Sequence, residues 1–519
     1  MYSNMTPRGS RIPGVNGVVV LGIQYYALST LIDIWNEDFF AVPFEEIEAE
    51  FMQEMEEYTL SRAAAEAIGV EHWRALHKLG YLPLSIKALP EGTICPIKVP
   101  CYTVRETKDE YFWLTNFIET DMSSEVWGCM TSATLAHEFN KVFMHWADVS
   151  GAPKELVKFQ GHNFSYRGML GREAAAIVDM GHLLSFVGSD TIPGRKYLKR
   201  YYKADQKKGI ISCSVFATEH AVMCSATGFY IKKNGIDWEK YGEAEFEVFK
   251  RLITEVYPTG FLSIVSDTWN LWVVLRDYLP RLRDIILARE GRIIIRPDSG
   301  DPVKIMTGYL DGEFEKDGED YYPLLASQVR PGSFTRGKKM PGGVHEVKGV
   351  IQCLFDVFGA DESLPFGMNE KGFIRLNGHV SSIYGDSINI IRANEICQRL
   401  VEGRNFESTS WVAGIGSYTY QYVTRDTFSF AQKATNTTVE IDGERIDIPI
   451  FKKPVTGDGS KDSAAGLIHV DLVSGKYVMK DRCTWEEEAT GYLIEVFRDS
   501  KMTKEYELEE MRASLKATM

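Results

Sequence analysis

A short run of isoleucines in the second half of the chain leads directly into charged residues that could bind a polar ligand. Ile293–Ile295 is followed by Arg296, Pro297 and Asp298, and then by a Ser-Gly turn. The β-branched run predicts a strand buried on both faces, because it is too short for a core helix. Ligand-binding groups of α/β folds gather at the carboxyl ends of strands. Arg296 and Asp298 are therefore candidate site residues, and the alternative is a solvated cluster of loop charges.

The same pattern of an apolar run that ends in polar or small residues occurs four more times. These runs are Phe261–Asp267, Val380–Asp386, Trp411–Ser417, and Ile210–Phe216 with His220 close behind it. Helix-compatible segments, including Glu243–Val256 and Leu271–Arg289, lie between them. Alternation of strands and helices predicts a parallel sheet or barrel with its site on one rim.

Composition and charge limit the classes of function. The 519 residues carry a net charge of −14 with a pI of about 5.4, which argues against sequence-independent binding to nucleic acid. No apolar stretch reaches the length of about 20 residues that a membrane span needs, and the start does not resemble a signal peptide. The eight cysteines show no C-x-x-C spacing, so no zinc site is predicted. We expect a cytoplasmic protein without a membrane or nucleic-acid partner and without a resident metal.

Several segments outside the alternating part have their own patterns. Phe44–Ile68 has glutamates opposite apolar residues and predicts one amphipathic helix. Leu310–Gly349 is rich in Gly, Lys, Asp and Pro and predicts an exposed insertion. Asp442-Gly443, within Ala434–Lys453, predicts a hairpin turn. Further strands are predicted around Ile86, Ile94 and Val99.

Eight short motifs occur along the chain in a particular order. They are Phe164-Ser165-Tyr166-Arg167-Gly168, Ser189-Asp190-Thr191, Ser214 to His220, Asp267, Arg296 to Gly300, Gly385-Asp386, Gly416-Ser417 and Thr424-Arg425-Asp426. In this order they resemble the active-site segments of the nicotinamide phosphoribosyltransferase family. The likeness runs from Tyr2 to the region 496–512, and its main departure is the loop 310–350.

This resemblance implies an α/β fold, an irregular α/β barrel of the nicotinate/nicotinamide phosphoribosyltransferase type with a flanking α+β domain. We expect residues 1–158 to form the N-terminal part of the flanking domain and residues 431–519 its C-terminal part. Residues 159–430 would form the catalytic barrel, with an insertion at about 310–350.

The activity implied is transfer of phosphoribosyl from phosphoribosyl pyrophosphate to nicotinamide, giving nicotinamide mononucleotide and pyrophosphate for NAD salvage. The family resemblance also implies a homodimer with shared active sites, Mg²⁺ bound with phosphoribosyl pyrophosphate, and ATP that phosphorylates His220. Two alternatives remain open. One is a nicotinate phosphoribosyltransferase, and the other is a non-catalytic ligand-binding scaffold with the same fold.

The resemblance also assigns roles to individual residues. For nicotinamide, Phe164 matches an aromatic platform, Asp190 the acceptor of the carboxamide N–H₂, and Arg296 the partner of the amide oxygen. The residues that match positions expected to act in catalysis are His220, Asp267, Asp298 and Asp386. Those that match contacts to phosphoribosyl pyrophosphate are Arg8, Arg167, Arg296, Asp298, Gly385, Asp386, Gly416, Ser417, Arg425, Lys433 and Lys452. His162 matches a residue that lines the tunnel to the site. Ser417 replaces the glycine common in the family, and Phe216 the proline often found at its position.

The first residues depart from the family pattern. Family chains begin with a segment containing an Asp-Ser/Phe-Tyr-Lys run, whose tyrosine covers the second face of nicotinamide in the partner subunit. This sequence opens instead at Met1-Tyr2-Ser3-Asn4. We therefore expect a chain shortened at its N-terminus, which dimerises poorly or binds nicotinamide weakly.

Overall fold

The first of two large sheets combines strands from both ends of the chain. The structure is a computed structural model that describes residues 1–326, 332–452 and 464–518. Neighbouring strands of this sheet are antiparallel, in the order β17-β16-β1-β5-β3-β20-β21. They are β1 (Tyr2–Pro7), β3 (Leu84–Ala88), β5 (Tyr102–Glu106), β16 (Phe430–Ile441), β17 (Glu444–Pro449), β20 (Ile494–Arg498) and β21 (Lys501–Met502).

The second sheet is parallel and forms the wall of an irregular barrel. Its order is β7-β6-β15-β14-β10-β9-β8. The strands are β6 (Gly161–Asn163), β7 (Gly188–Ser189), β8 (Phe216–Ala217), β9 (Gly260–Val265), β10 (Gly291–Arg296), β14 (Val380–Tyr384) and β15 (Trp411–Ile415). A parallel bridge between Gly188 and Cys213 joins β7 to the segment that leads into β8. This bridge connects the two ends of the sheet, so the carboxyl ends of all its strands share one rim.

Three smaller sheets and the helices complete the described residues. The smaller sheets pair β2 (Gly17–Val19) with β4 (Ile94–Pro96), β18 (Leu467–Val473) with β19 (Lys476–Cys483), and β11 (Phe314–Asp317) with β12 (Asp320–Ala326) and β13 (Phe334–Arg336). The α-helices are α1 (Ile23–Tyr26), α2 (Phe44–Thr59), α3 (Arg62–Ile68), α4 (Glu71–Leu79), α5 (Leu114–Phe117), α6 (Glu119–Ser150), α7 (Arg172–His182), α8 (Ile192–Tyr201), α9 (His220–Asn234), α10 (Tyr241–Arg251), α11 (Leu271–Val273), α12 (Leu279–Ala288), α13 (Pro302–Thr307), α14 (Val344–Phe358), α15 (Ile390–Gln398), α16 (Ser417–Tyr420), α17 (Trp485–Glu488) and α18 (Leu508–Lys516). Segments of π-helix occupy Ala27–Ile34, Asn36–Phe40, Leu252–Val256, Val274–Tyr278 and Arg399–Gly403.

The two large sheets have separate hydrophobic cores that the long helix α6 connects. Its first half, including Met122 and Met130, packs in the core of the antiparallel sheet. Its second half, including Phe139 and Phe143, packs in the core of the barrel. Within the described ranges, none of the helices is both long enough and apolar enough to cross a membrane.

Most of the predicted barrel elements are confirmed. Four of the five apolar runs form the strands β9, β10, β14 and β15, and both predicted helical segments are helical. The prediction that Ile210–Phe216 forms a strand is wrong, because the strand β8 covers only Phe216–Ala217 and Cys213 makes an isolated bridge. Burial of β10 on both faces is also wrong. Ile293 and Ile295 are buried, but Ile294 is partly exposed because it faces a cavity inside the barrel.

The flanking part differs from prediction in local detail. The single helix predicted for Phe44–Ile68 is two helices, because Leu60 adopts φ 54° and Ser61 accepts the Ala64 amide as an N-cap. Strands are present at Ile86 and Ile94, but Val99 lies outside any strand. The hairpin turn is confirmed: Asp442 and Gly443 have positive φ and join two antiparallel strands.

The predicted insertion contains regular structure of its own. The three short strands β11 to β13 form an antiparallel sheet within it. The helix α14 begins at Val344, inside the range that the composition had indicated as loop. Residues 327–331 of the predicted insertion lie outside the described residues.

Candidate active site

A cavity of about 550 Å³ extends along the inside of the barrel. Ile294, Ser263 and Ser381 line its middle part from three neighbouring strands. Phe164 and Asp190 line it at the carboxyl ends of β6 and β7. Its lining therefore includes the rim that the sequence pattern predicts as the site.

Phe164 follows β6 and is fixed at the rim by backbone and ring contacts. Its amide donates to the Ile415 carbonyl at 2.9 Å, which joins it to the end of β15. Its ring lies 4.8 Å from the ring of His162, and a Cβ added to Gly414 would come within 2.6 Å of it. The glycine is therefore needed for the ring to lie flat against β15. The partly exposed face of Phe164 lines the cavity and can stack on a planar ligand.

Asp190 follows β7 and presents a carboxylate to the same cavity. His162 Nε2 lies 2.9 Å from its Oδ1, and the Ser214 hydroxyl donates to the same oxygen. Burial disfavours the charged form of Asp190, but these bonds and the nearby Arg296 guanidinium outweigh burial and lower the pKa of the carboxyl. Because both bonds end on Oδ1, Oδ2 can still accept a hydrogen bond from a ligand.

Arg296 and Asp298 form the next part of the rim, after β10. The Arg296 Nη2 donates to the Thr218 carbonyl at 2.7 Å, and Nε lies 3.5 Å from Asp298 Oδ2. The other carboxylate oxygen of Asp298 is buried and has no hydrogen-bond partner in the structure. Burial raises the pKa of Asp298, and so do the carboxylates of Asp267 and Asp386. That oxygen packs against Gly385, but the Asp298 side chain as a whole is partly exposed, so a ligand hydroxyl can donate to its accessible part.

Asp267 connects His220 to the loop after β10. Its Oδ1 lies 3.2 Å from His220 Nε2, and its Oδ2 accepts the Asp298 amide at 2.9 Å and the Ser299 hydroxyl. Three carboxylates, those of Asp267, Asp298 and Asp386, thus surround this part of the rim. Such a cluster can stabilise positive charge that develops on a bound ligand.

The glycines and Ser417 allow close packing beside these groups. A Cβ added to Gly385 would lie 2.7 Å from Asp298 Oδ1 and 3.4 Å from the Phe164 ring. Gly416 precedes α16, and its nearest neighbour would be 4.0 Å from an added Cβ. The Ser417 side chain packs on Gly168, where an added Cβ would be 2.1 Å from its Oγ. The neighbouring Arg167 is exposed at this edge of the site.

Four of the predicted phosphate-binding cations lie on strands of the antiparallel sheet or close to them in sequence. Burial lowers the pKa of Arg8, and the positive charge of the nearby Arg425 lowers it further. Arg8 Nε donates to the Ser429 carbonyl at 3.2 Å. Lys433 lies on β16, which pairs with the strand that precedes Arg8, and its ammonium bonds Glu119 at 2.7 Å. Lys452 follows β17 and directly precedes residues 453–463, which are outside the described ranges. The roles of these four cations in binding phosphate stay predictions.

The sequence analysis assigned no role to Asp179, to Asn163 or to Ser189 of the Ser189-Asp190-Thr191 motif, and all three lie buried beneath the rim. Asp179 Oδ1 accepts from Asn163 Nδ2 at 2.7 Å and from the Ser189 hydroxyl at 2.6 Å. Asn163 and Ser189 each directly precede a predicted ligand contact. Asp179 lies in a helix with an ordinary amphipathic pattern, so only its position in space indicates a role.

Over the described ranges, His, Cys, Asp and Glu side chains form no group of three that could hold a metal ion. The carboxylates at the rim fit a hard cation that is carried by a phosphorylated substrate, because such a cation takes several ligands from the phosphates and from water.

Comparison with known proteins assigns the chain to a class. A sequence model of the nicotinate phosphoribosyltransferase (NAPRTase) family matches residues 159–501, and the chain belongs to this family. The chain is 39% identical over 526 residues to the nicotinamide phosphoribosyltransferase of Acinetobacter baylyi, covering 99% of this chain and 92% of that relative. It is 30% identical over 388 residues to the nicotinamide phosphoribosyltransferase of Mycoplasma pneumoniae, covering 74% and 71%.

A solved structure supports the fold. The crystal structure of nicotinate-nucleotide pyrophosphorylase from Pyrococcus furiosus matches with a TM-score of 0.50 at 12% identity, covering 100% of this chain and 88% of that chain. At this identity the similarity concerns the fold alone. It agrees with the irregular α/β barrel predicted from the sequence.

Proposed function

We propose that this protein is a nicotinamide phosphoribosyltransferase. In this reaction the ring nitrogen of nicotinamide attacks the anomeric carbon of phosphoribosyl pyrophosphate. The bond from that carbon to pyrophosphate breaks, and the pyridine nitrogen of the product carries the positive charge. The products are nicotinamide mononucleotide and pyrophosphate, as in NAD salvage.

The single observation that carries this proposal is that the Asp190 carboxylate and the Phe164 ring line the same cavity. The pKa of Asp190 is lowered, so we expect its carboxylate to be charged at neutral pH and only to accept hydrogen bonds. A carboxamide offers it an N–H₂ donor, whereas the carboxylate of nicotinate would be repelled. Arg296, whose guanidinium lies near enough to lower that pKa, can donate to the amide oxygen.

The carboxylates after β9, β10 and β14 suit the ribose. The transition state of glycosyl transfer has oxocarbenium character, as in glycoside hydrolysis. Asp298 has a buried oxygen without a partner, and Asp267 and Asp386 are close enough to affect its pKa. We assign Asp298 and Asp386 to the ribose hydroxyls and all three carboxylates to the developing positive charge. Arg296 and His220 limit their mutual repulsion.

The proposal also includes Mg²⁺, bound with phosphoribosyl pyrophosphate, and ATP. Mg²⁺ bound to pyrophosphate would neutralise charge on the leaving group. His220 is the first residue of α9, and its Nε2 faces Asp267 at 3.2 Å. This contact orients the ring and leaves Nδ1 to accept a phosphoryl group from ATP.

We further propose that the enzyme works as a homodimer in the cytoplasm. Apolar side chains close in sequence to the predicted site residues are exposed: Tyr166, Ile192 and Phe216 are 37%, 64% and 47% exposed. A second copy that covers them would shield the site and could supply phosphate-binding cations. All eight cysteines are free thiols, which suits a reducing compartment.

The decisive experiment compares the two pyridine substrates on the purified protein. Pyrophosphate release is measured with phosphoribosyl pyrophosphate and Mg²⁺, with either nicotinamide or nicotinate. We expect kcat/KM to favour nicotinamide, and a preference for nicotinate would make the protein a nicotinate phosphoribosyltransferase. Calorimetric binding of phosphoribosyl pyrophosphate without turnover of either ring would support the scaffold alternative instead.

A further inference from the structure

Asp179 is a buried carboxyl at the centre of the polar contacts beneath the ring-binding rim. It lies on α7 and has no exposed surface. Its Oδ1 accepts two hydrogen bonds, from Asn163 at 2.7 Å and from Ser189 at 2.6 Å. These donors come from the ends of two adjacent strands, β6 and β7.

Each donor also closes a turn around a predicted ring contact. Asn163 Oδ1 accepts the Ser165 amide at 2.9 Å, and this turn encloses Phe164. Ser189 Oγ accepts the Thr191 amide at 2.9 Å, and this turn encloses Asp190. Side-chain turns of this kind fix the direction of the residue between their ends. The backbone already joins the two turns, because the Asp190 amide donates to the Asn163 carbonyl at 3.1 Å. Asp179 adds a side-chain link between them, since both turn-forming side chains bond to its Oδ1.

The surroundings of Asp179 leave little room for it to move. A Cβ added to Gly194 of α8 would lie 2.4 Å from both Asp179 Cβ and Oδ2. Its Oδ2 is buried and has no hydrogen-bond partner, and burial raises the pKa of the carboxyl to about 7. An unpartnered buried polar oxygen costs stability.

We propose that Asp179 is a positioning residue for recognition of the pyridine ring. Through Asn163 and Ser189 it holds the Phe164 face and the Asp190 carboxylate at the separation that nicotinamide requires. The inference rests on the proposed function, and it adds a residue that acts through others and does not touch the substrate. It predicts that the contacts to phosphoribosyl pyrophosphate are independent of Asp179.

The test compares, in an Asp179→Ala variant, the KM for nicotinamide with the KM for phosphoribosyl pyrophosphate. We expect its KM and its calorimetric Kd for nicotinamide to rise by about tenfold or more, because small displacements of positioned groups are costly. Its KM for phosphoribosyl pyrophosphate should stay within about twofold. Asp179→Asn keeps an oxygen that can accept both bonds, so it should restore nicotinamide KM to within about threefold of the unmodified enzyme.

Two further variants keep the result interpretable. Ser189→Ala removes one of the two bonds and should also raise nicotinamide KM, which provides the test if Asp179→Ala does not fold. Glu245→Gln is the matched control, because Glu245 is a buried carboxyl on α10 that accepts from Tyr278 at 3.0 Å and has an unpartnered oxygen. It should change thermal stability and leave both KM values unchanged.

The outcomes are distinct for this inference and for the proposed function. Unchanged nicotinamide KM in Asp179→Ala, or equal rises in KM for both substrates, would overturn the positioning role. If Asp179→Ala does not fold, unchanged nicotinamide KM in Ser189→Ala would overturn it. Failure of the unmodified enzyme to use nicotinamide would instead count against the proposed function.

Discussion

At the scale of single residues, Asp190 decides which pyridine ring is accepted. In Asp190→Asn the shape is kept and the repelling charge is removed, so discrimination against nicotinate should fall by about 10- to 100-fold. The measurement is the ratio of kcat/KM for nicotinamide to that for nicotinate. Ser214→Ala serves as the control, because it removes a hydrogen bond to Asp190 and leaves its charge. An unchanged ratio in Asp190→Asn would rule out the assigned ring contact.

Asp298 should affect the chemical step more than substrate binding. The negative charge of its partly exposed carboxylate can strengthen its interaction as the ribose becomes positive. Asp298→Ala should therefore lower kcat and kcat/KM together by roughly 10²-fold or more. Asp298→Asn keeps the shape without the charge and should be impaired to a similar degree. A variant with normal kcat and only a raised KM would show that Asp298 binds the ground state and the transition state equally.

His220 should link ATP to turnover without taking part in the basal reaction. Its ring is exposed, so a phosphoryl donor can reach it, and its contact with Asp267 orients the ring. His220→Ala should abolish any stimulation by ATP while basal nicotinamide mononucleotide formation remains detectable. Rates with and without ATP are compared in the variant and in the unmodified enzyme. Equal loss of both activities would contradict a purely coupling role.

At the scale of elements, one carboxylate attaches the insertion to the barrel. Glu313 accepts from Arg399 at 2.7 and 2.6 Å and lies 2.8 Å from Lys304. Burial disfavours its charged form, but these bonds outweigh burial and lower its pKa to about 2. Glu313→Gln would leave the buried Arg399 uncompensated, so we expect the free energy of unfolding to fall by about 2 kcal/mol.

Urea unfolding at neutral pH measures this loss. The matched control is Asp317→Asn on the same small sheet, which breaks an exposed pair with Arg336 at 2.7 Å. Exposed ion pairs contribute little, so the control should change the unfolding free energy by less than about 0.5 kcal/mol. Equal effects of the two substitutions would show that Glu313 is no more than a surface charge.

At the scale of the whole molecule, buried acids make the unfolding free energy depend on pH. Burial raises the pKa of both Asp179 and Glu245 to about 7. The folded state holds these protons more tightly than the unfolded chain does. The stability that this binding contributes is therefore complete below about pH 4 and is lost as pH rises towards 7. Glu313 acts in the opposite direction, since its lowered pKa contributes stability above about pH 4.5 that is lost as pH falls towards 2.

Between pH 5 and pH 8 the two buried acids lower the unfolding free energy, whereas the buried His137 and His182, whose pKa values burial lowers to about 4 and about 3, raise it. The check is urea unfolding at both pH values, which gives the difference in unfolding free energy between pH 8 and pH 5, for the unmodified protein, for Glu245→Gln and for Glu243→Gln. Glu245→Gln should raise the unfolding free energy at pH 8 relative to that at pH 5 by on the order of 2 kcal/mol. Glu243 is exposed on the same helix, so its substitution should leave the difference unchanged. Equal behaviour of both variants would show that Glu245 is not the titrating group.

The sequence by itself determined where the barrel strands lie and which residues stand at their ends. A buried parallel strand needs a short β-branched or apolar run, and the chain must turn after it, so β9, β10, β14 and β15 are marked by local pattern. The same pattern placed Asp267, Asp298 and Asp386 on one rim. Family resemblance added Phe164 and Asp190, which the structure also places on the cavity lining.

Only the tertiary structure decided which distant side chains meet. Ile294 faces a cavity instead of a second core because the sheet curves into a barrel. Ile210–Phe216 forms almost no strand, because Cys213 within it bridges the two ends of that sheet. Asp179 became visible because packing of α7 under β6 and β7 brings together residues that are 10 to 16 positions apart. Hydrogen bonds of this kind depend on three-dimensional packing, which no spacing of residues along the chain specifies.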